Sequence, residues 1–271
     1  WAVRKVAIPG AILQTLIATG MAYALTQFWG WTTGASLVLG MAISVASTVV
    51  LLRGLMDNGL LNTTHGQVAV GWLIFEDLAT VAILVLLPVL FGESSGNPWL
   101  AAGLTIVKTA AFVAIMLFIG KKVMPWLLVR TALTRSRDLF TLAVITLALG
   151  TAMGATYFFD VSLALGAFLA GVVIGESDLG HQVSAEVLPF RELFAAFFFV
   201  SVGMLVNPLA LWSDAAHVLA LTALVIVGKG LLTILLGFVL PGSARTMLVV
   251  AAGLAQIGEF SFLVGQAGVA L

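Results

Sequence analysis

Two adjacent carboxylates, Glu76 and Asp77, stand roughly ten residues into an apolar run from 66 to 91. If that run crosses a bilayer, both lie near its midplane, where a charged side chain costs roughly 2.5–3.5 kcal/mol on insertion scales and is seldom ornamental. Adjacent residues on a helix point about 100° apart, so one carboxylate can face a cavity while the other reaches a neighbouring helix. Low dielectric and a like charge next door both disfavour ionisation, which lets a carboxylate there trade a proton for a cation. A structural ion pair is the competing reading, although one carboxylate would serve for that. Lys229, in the stretch Val227, Gly228, Lys229 and Gly230, sits in the middle of another apolar run, and Asp77 or Glu76 is its natural partner. A cation could then compete with the lysine for the carboxylate; a lysine that snorkels to an interface is the alternative. Ser47 and Thr48 interrupt a third run. They offer hydroxyls and freed backbone carbonyls as ligands for a hard monovalent cation, or merely bond back to a helical carbonyl. Gln256 and Glu259 make the corresponding polar group in the last run, with Glu259 balancing the lysine or fixing a helix break.

The elements that position these residues follow from composition. The chain is 61% hydrophobic and only 9% charged, against about 25% charged in soluble domains. Apolar stretches near the ~20 residues that span a bilayer fill nearly its whole length. Such runs lie near 7 to 29, 34 to 55, 66 to 91, 99 to 125, 138 to 158, 161 to 175, 190 to 206, 216 to 240 and 245 to 268. The expectation is an all-α integral membrane protein of about nine transmembrane helices. The sixth run is short and rich in glycine and alanine. It, the second and the ninth are expected to be broken or tilted.

If every run crosses, Arg4, Lys5, Arg53, Lys121, Lys122, Arg130, Arg135, Arg137, Arg191 and Arg245 fall on one side. The opposite loops hold Glu93, Asp160 and Asp214 without lysine or arginine. The bias makes the Arg4, Lys121 and Arg135 side cytoplasmic. Lys108 falls inside a run and is read as interfacial or lipid-facing. The pair of runs 7 to 29 and 34 to 55 has the same plan as 216 to 240 and 245 to 268: a helix, a short turn, and a helix interrupted by small and polar residues. With opposite starting sides these form an inverted repeat with broken helices, an arrangement that builds sites near the midplane. Close helix packing through small residues is the other reading of those patches.

Several chemistries are missing. No cysteine is present, which excludes disulfides and thiolate metal sites. No phosphate-cradling glycine loop, metal-ligand cluster or nucleophile with a nearby base stands out. His65, His181 and His217 are scattered in loops or at helix ends and read as surface histidines. A transporter is expected rather than an enzyme, with no cofactor in this chain and no nucleic-acid partner.

At these residues the chain resembles the Kef-type cation/proton antiporters, most closely the branch called YbaL-like. The segments that carry the resemblance are Ala7 to Gln14 (AIPGAILQ), Ala46 to Arg53 (ASTVVLLR), Gly66 to Asp77 (GQVAVGWLIFED), Leu163 to Gly171 (LALGAFLAG), Phe198 to Met204 (FFVSVGM) and Ala255 to Phe260 (AQIGEF). Six in order are highly specific. The resemblance implies a sodium/proton-antiporter-like fold with crossing broken helices, a homodimer, and a core that moves against a dimerisation domain to alternate access. It implies that Asp77 binds cation and proton, that Lys229 matches the core lysine, and that Ser47, Thr48 and Gln256 fall on the crossing helices. Before the aspartate, potassium-efflux members carry glutamine and others asparagine or aspartate; Glu76 departs from both.

On this reading residues 1–271 form one transmembrane antiporter domain, a piece of a longer protein: 1–92 the first core repeat, 93–206 intervening and dimerisation-related helices, 207–271 part of the second core repeat. Relatives carry further helices and often a cytoplasmic nucleotide-binding regulatory domain. The expected function is secondary active antiport of a monovalent cation, K+ or Na+, against protons in a bacterial inner membrane, with no metal beyond the transported ion. An ion-coupled symporter of a small organic solute and a non-transporting sensor or scaffold are the rival readings.

Overall fold

The computed structural model describes residues 3–91 and 98–269, and it contains helices and their connections but no strand among them. In chain order the helices are α1 (Arg4–Phe28), α2 (Thr33–Ser44), α3 (Thr48–Asp57), α4 (Thr64–Phe91), α5 (Pro98–Ile115), α6 (Lys121–Ala132), α7 (Arg137–Phe159), α8 (Leu163–Gly175), α9 (Gly180–Leu205), α10 (Pro208–Ser213), α11 (Ala215–Ala223), α12 (Lys229–Leu236), α13 (Ala244–Leu254) and α14 (Glu259–Val269). Two π turns, Met116–Gly120 and Leu224–Gly228, join α5 to α6 and α11 to α12, so each of those pairs runs on as one long helix. Many helices start at a Ser or Thr whose hydroxyl accepts an amide of the first turn: Thr32 from Ala35, Ser136 from Leu139, and Ser243 from Thr246. Ser47 caps α3 in the same way, accepting from Val50. That cap lies inside an apolar span, not at its edge.

Among the described residues seven helices are long and apolar enough to cross a membrane, and the bent pair α13 and α14 makes up to eight. The class is as expected, but the count of nine is corrected. The sixth apolar run is α8, whose 13 residues reach only about 20 Å at 1.5 Å each, short of the ~30 Å hydrocarbon core. Two boundaries also move. The fourth run continues to Ala132, which takes Arg130 into the helix that already held Lys121 and Lys122. The seventh starts at Gly180, so Arg191, at the very start of the run 190 to 206, lies well inside α9. Glu93, counted with the loop acids, lies outside the described residues.

The chain forms two compact units, one made of Trp1–Gly92 and Ala210–Leu271, the other of Glu93–Leu209. In the second, ion pairs tie the helix ends. Lys108 meets Asp160 just beyond α7, Lys121 meets Glu176 just beyond α8 at 2.8 Å, and Arg137 meets Glu186 at 2.9 Å. Lys108 is thus held by a carboxylate at a helix end, as an interfacial lysine would be.

In the first unit alanines of α1 and α4 meet large apolar side chains. Ala7, Ala11 and Ala18 of α1, Leu51 and Leu55 of α3, Ala69, Trp72 and Leu73 of α4, and Met247, Val250 and Leu254 of α13 share one buried cluster. Outward faces are apolar instead of charged; Phe28 and Phe238 are among many large hydrophobics left exposed. Lipid satisfies such faces, and the protein is an integral membrane protein.

Two breaks cross at the centre of this unit. The chain unwinds between Ser44 and Thr48, and again between Leu254 and Glu259, where the two helices meet at 52°. Gly258 permits the crossing: a Cβ there would lie 2.9 Å from Ser47 Cα and 3.0 Å from its amide nitrogen. Gly258→Ala is therefore expected to lower stability by about 1–3 kcal/mol through overpacking against backbone that cannot yield. Gly265→Ala, with nothing within 4 Å of the added carbon, is expected to be neutral or to gain up to about 1 kcal/mol of helix propensity. Melting temperatures of the two variants in detergent check the contrast, and equal shifts would refute it.

Candidate ion-binding site

An unwound segment inside a membrane exposes amides and carbonyls that lipid cannot serve, so each needs a protein partner. Around the first break those partners are side chains from α1, α4, α12, α14 and the second break. The Ile43 carbonyl accepts from Lys229 Nζ at 3.0 Å and the Ser44 carbonyl from Gln14 Nε2 at 3.3 Å. The Val45 carbonyl accepts from Ser261 Oγ at 3.3 Å. Ala46 donates its amide to Glu76 Oε2 at 3.2 Å. Ser47 is held twice by Gln256, its N–H donating to Oε1 and its carbonyl accepting from Nε2, both at 3.1 Å. Gln256 thereby does for one residue what a neighbouring strand would do.

Lys229 spans both breaks, since its ammonium also donates to the Gln256 carbonyl at 2.9 Å. The π turn Leu224–Gly228 ends immediately before it, a kind of helix irregularity often found at functional positions. Ile43 and Gln256 lie at the C-terminal ends of α2 and α13, where partial negative charge gathers. The expected pairing of Lys229 with Asp77 or Glu76 is not made: the ion pairs among the described residues do not include it. Its charge acts on Glu76 at longer range, and carbonyls take its protons because they are closer and otherwise unserved. At 1% exposure it does not snorkel.

The two carboxylates divide as adjacent residues on a helix must. Glu76, 1% exposed, turns to the break. Asp77 is only partly buried. Its Oδ2 accepts from Thr48 Oγ1 at 2.9 Å, and its Oδ1 is a buried atom with no hydrogen-bond partner. Glu259, the first residue of α14, accepts from Ser47 Oγ at 3.3 Å and lies close enough for its charge to be felt at Asp77. Asp77, Thr48, Ser47 and Glu259 thus gather in one place. The freed carbonyls expected to help bind a cation are already taken at Ile43, Ser44, Val45 and Ser47. Of the side-chain oxygens beside the break, Asp77 Oδ1 is buried and has no hydrogen-bond partner.

Sequence pattern assigns no role to Gln14 or Ser261. A glutamine in the apolar run 7 to 29 was the available signal; a serine in an already polar run carried none. His65 also proves less plain than a surface histidine. Its Nδ1 lies 2.8 Å from Thr246 Oγ1, tying the first turn of α4 to that of α13. His217 packs edge-on against Trp29, with ring centroids 4.5 Å apart. Among the described residues no three His, Cys, Asp or Glu come together as a metal-binding group.

Residues 1–271 match the family described as sodium/hydrogen exchanger, transmembrane. The chain belongs to that family. It is 49% identical over 276 residues to YbaL of Escherichia coli (strain K12), a protein named for cation/proton antiport, covering 100% of this chain and 50% of that protein. It is 35% identical over 266 residues to K(+) efflux antiporter 6 of Arabidopsis thaliana, covering 96% of this chain and 44% of the relative. The iron transporter MagA of Paramagnetospirillum magneticum is 31% identical over 269 residues, 98% of this chain and 61% of its own. The chain thus spans about half the length of these curated relatives. Chains similar to this one thus carry names with different cargoes.

Removing the ammonium at the crossing tests the account of the breaks. Lys229→Met leaves two buried carbonyls without a donor, at about 1–3 kcal/mol each. A lower melting temperature than for Lys229→Arg is expected in detergent. Identical melting curves would mean that other donors hold those carbonyls.

Proposed function

We propose that this domain carries out monovalent cation/proton antiport, with Asp77 taking a cation or a proton in alternation. The observation that carries the reading is Asp77 itself, one oxygen bonded to Thr48 and the other buried without a partner, beside a break whose carbonyls are all but committed elsewhere. A dehydrated cation and a proton are two ways of satisfying the same oxygen, so they compete. Thr48 and Ser47 supply hydroxyl oxygen next to it. Glu259 adds negative charge, and Lys229 and Glu76 hold the break that presents the site. One carboxylate with hydroxyls is an oxygen site that suits a hard cation better than one requiring nitrogen or sulfur donors. The names of YbaL and of the Arabidopsis protein point the same way; that of MagA points to iron.

In this reading transport proceeds by alternating access, and residues 93–206 supply intervening and dimerisation helices of a homodimer, as the family resemblance implies. A bacterial inner-membrane setting with Arg4, Lys121 and Arg135 at the cytoplasm is part of the reading, supported by the basic residues that precede α8. A nucleotide-binding regulatory domain in the complete protein is part of the same proposal.

The test is proton flux in liposomes holding the full-length protein, with sodium, potassium or ferrous iron added to one side. Native protein is expected to move protons when sodium or potassium is added, and Asp77→Asn to lose that response by at least about 100-fold, the scale on which removing an essential group acts. Flux that survives the substitution would return the symporter and scaffold readings to the front. A response to iron alone would overturn the choice of monovalent cargo.

A further inference from the structure

We infer that the outward face of α6 binds the headgroup of an anionic phospholipid, its phosphate held by Lys122 and Arg130 on either side of Trp126. The three residues are four apart in sequence and all exposed, so they form one stripe along the helix. Arg130 is already turned onto Trp126, its guanidinium carbon 5.4 Å from the ring centroid, within reach of a cation–π contact. Helical side chains lean toward the N-terminus, and this contact shows Arg130 doing so. Its charge therefore stands nearer to Lys122 than the separation of the two backbones, about 12 Å along the axis.

The stripe changes chemistry along its length. One turn before Lys122 it is apolar, with Phe118 and Ile119 at 76% and 55% exposure. Trp126 follows at 55% exposure, then Arg130, and Arg135 lies in the turn beyond the helix. The span that contains α6 runs for 30 residues, Gly103–Ala132, or about 45 Å, against ~30 Å of hydrocarbon. Its last turns thus reach the headgroup layer. Apolar, then aromatic and basic, is the order in which a phospholipid presents tails and phosphate from the bilayer centre outward.

The cations at this end divide into those with a carboxylate and those without. Lys121 has Glu176 and Arg137 has Glu186. Lys122, Arg130 and Arg135 enter no ion pair among the described residues, and neither does Asp138, the acid closest in sequence. The protein thus gathers like charges and supplies them no anion. A phosphate supplies one, and a guanidinium can hold two of its oxygens at once. A zwitterionic lipid would bring a cation of its own to the same place, so the surplus positive charge selects an anionic headgroup. Exposed Phe118 and Ile119 below the cations suit acyl chains, which a soluble phosphate lacks.

Fluorescence quenching of the full-length protein in liposomes tests the site. Brominated phosphatidylglycerol and brominated phosphatidylcholine are titrated separately, and the Trp126 signal is taken as native minus Trp126→Phe. Phosphatidylglycerol is expected to quench Trp126 at a mole fraction lower by at least about fivefold, the weight of one interfacial cation. Arg130→Gln should cut that preference severalfold, and the double variant with Lys122→Gln should bring the two lipids level. Equal quenching by both lipids in native protein overturns the site, and that arm requires neither glutamine variant to fold. A preference that survives the double variant overturns the assignment to these residues. If soluble glycerol phosphate at constant ionic strength abolishes the preference, the occupant is a soluble phosphate and the lipid is overturned. None of these readouts depends on transport, so they leave the antiport reading to its own test.

Discussion

A helix that unwinds inside a membrane must hand its backbone to other side chains, because hydrocarbon offers no hydrogen bonds. The architecture of the first unit follows from that demand. Most side-chain partners of the backbone from Ile43 to Ser47 come from elsewhere in the chain, and they are polar residues in otherwise apolar runs: Gln14 in α1, Glu76 in α4, Lys229 in α12, Ser261 in α14 and Gln256 in the second break. Each would be costly alone in such a setting. Together they are nearly satisfied, and the second break serves the first as the first serves it.

Charge is distributed according to the polarity of the broken ends. Lys229 holds carbonyls at the C-terminal ends of α2 and α13. Glu76 accepts an amide just before α3, and Glu259 opens α14. Cations thus sit where helix dipoles are negative and anions where they are positive. The ammonium and the carboxylate serve peptide groups instead of one another, which is why no direct ion pair forms. Asp77 is the exception. It bonds to one hydroxyl and no backbone group among the described contacts, and so retains capacity for something else.

The contrast with Glu76 shows how one helix assigns two neighbouring acids different work. Separated by about 100° around the axis, one faces the packed break and becomes part of the scaffold, while the other faces the partly open side. The ties to the break also limit motion. With four helices bonded to a single unwound segment, shifting it alone would strip several buried bonds at once. Small residues such as Gly258 and Gly10 provide the close approaches on which this network depends.

The sequence alone determined that the protein is helical and membrane-embedded, because 61% hydrophobic content distributed in long runs has no other stable solvent. It also singled out Asp77, Glu76, Ser47, Thr48, Lys229, Gln256 and Glu259, since polar groups inside apolar runs stand out by cost alone, and order of motifs indicated the family. Tertiary structure decided what each of them does. Apolar runs do not show where a helix begins or stops, so the short α8 is counted as a crossing and the start of α9 is placed at 190 instead of Gly180. Composition does not show what lies across a gap, so Lys229 was assigned to a carboxylate when two carbonyls were nearer. Gln14 and Ser261 acquired meaning only when the break was seen beside them. A hydrogen bond between residues 216 apart, as from Ser261 to Val45, is a matter of three-dimensional packing, and local pattern carries no trace of it.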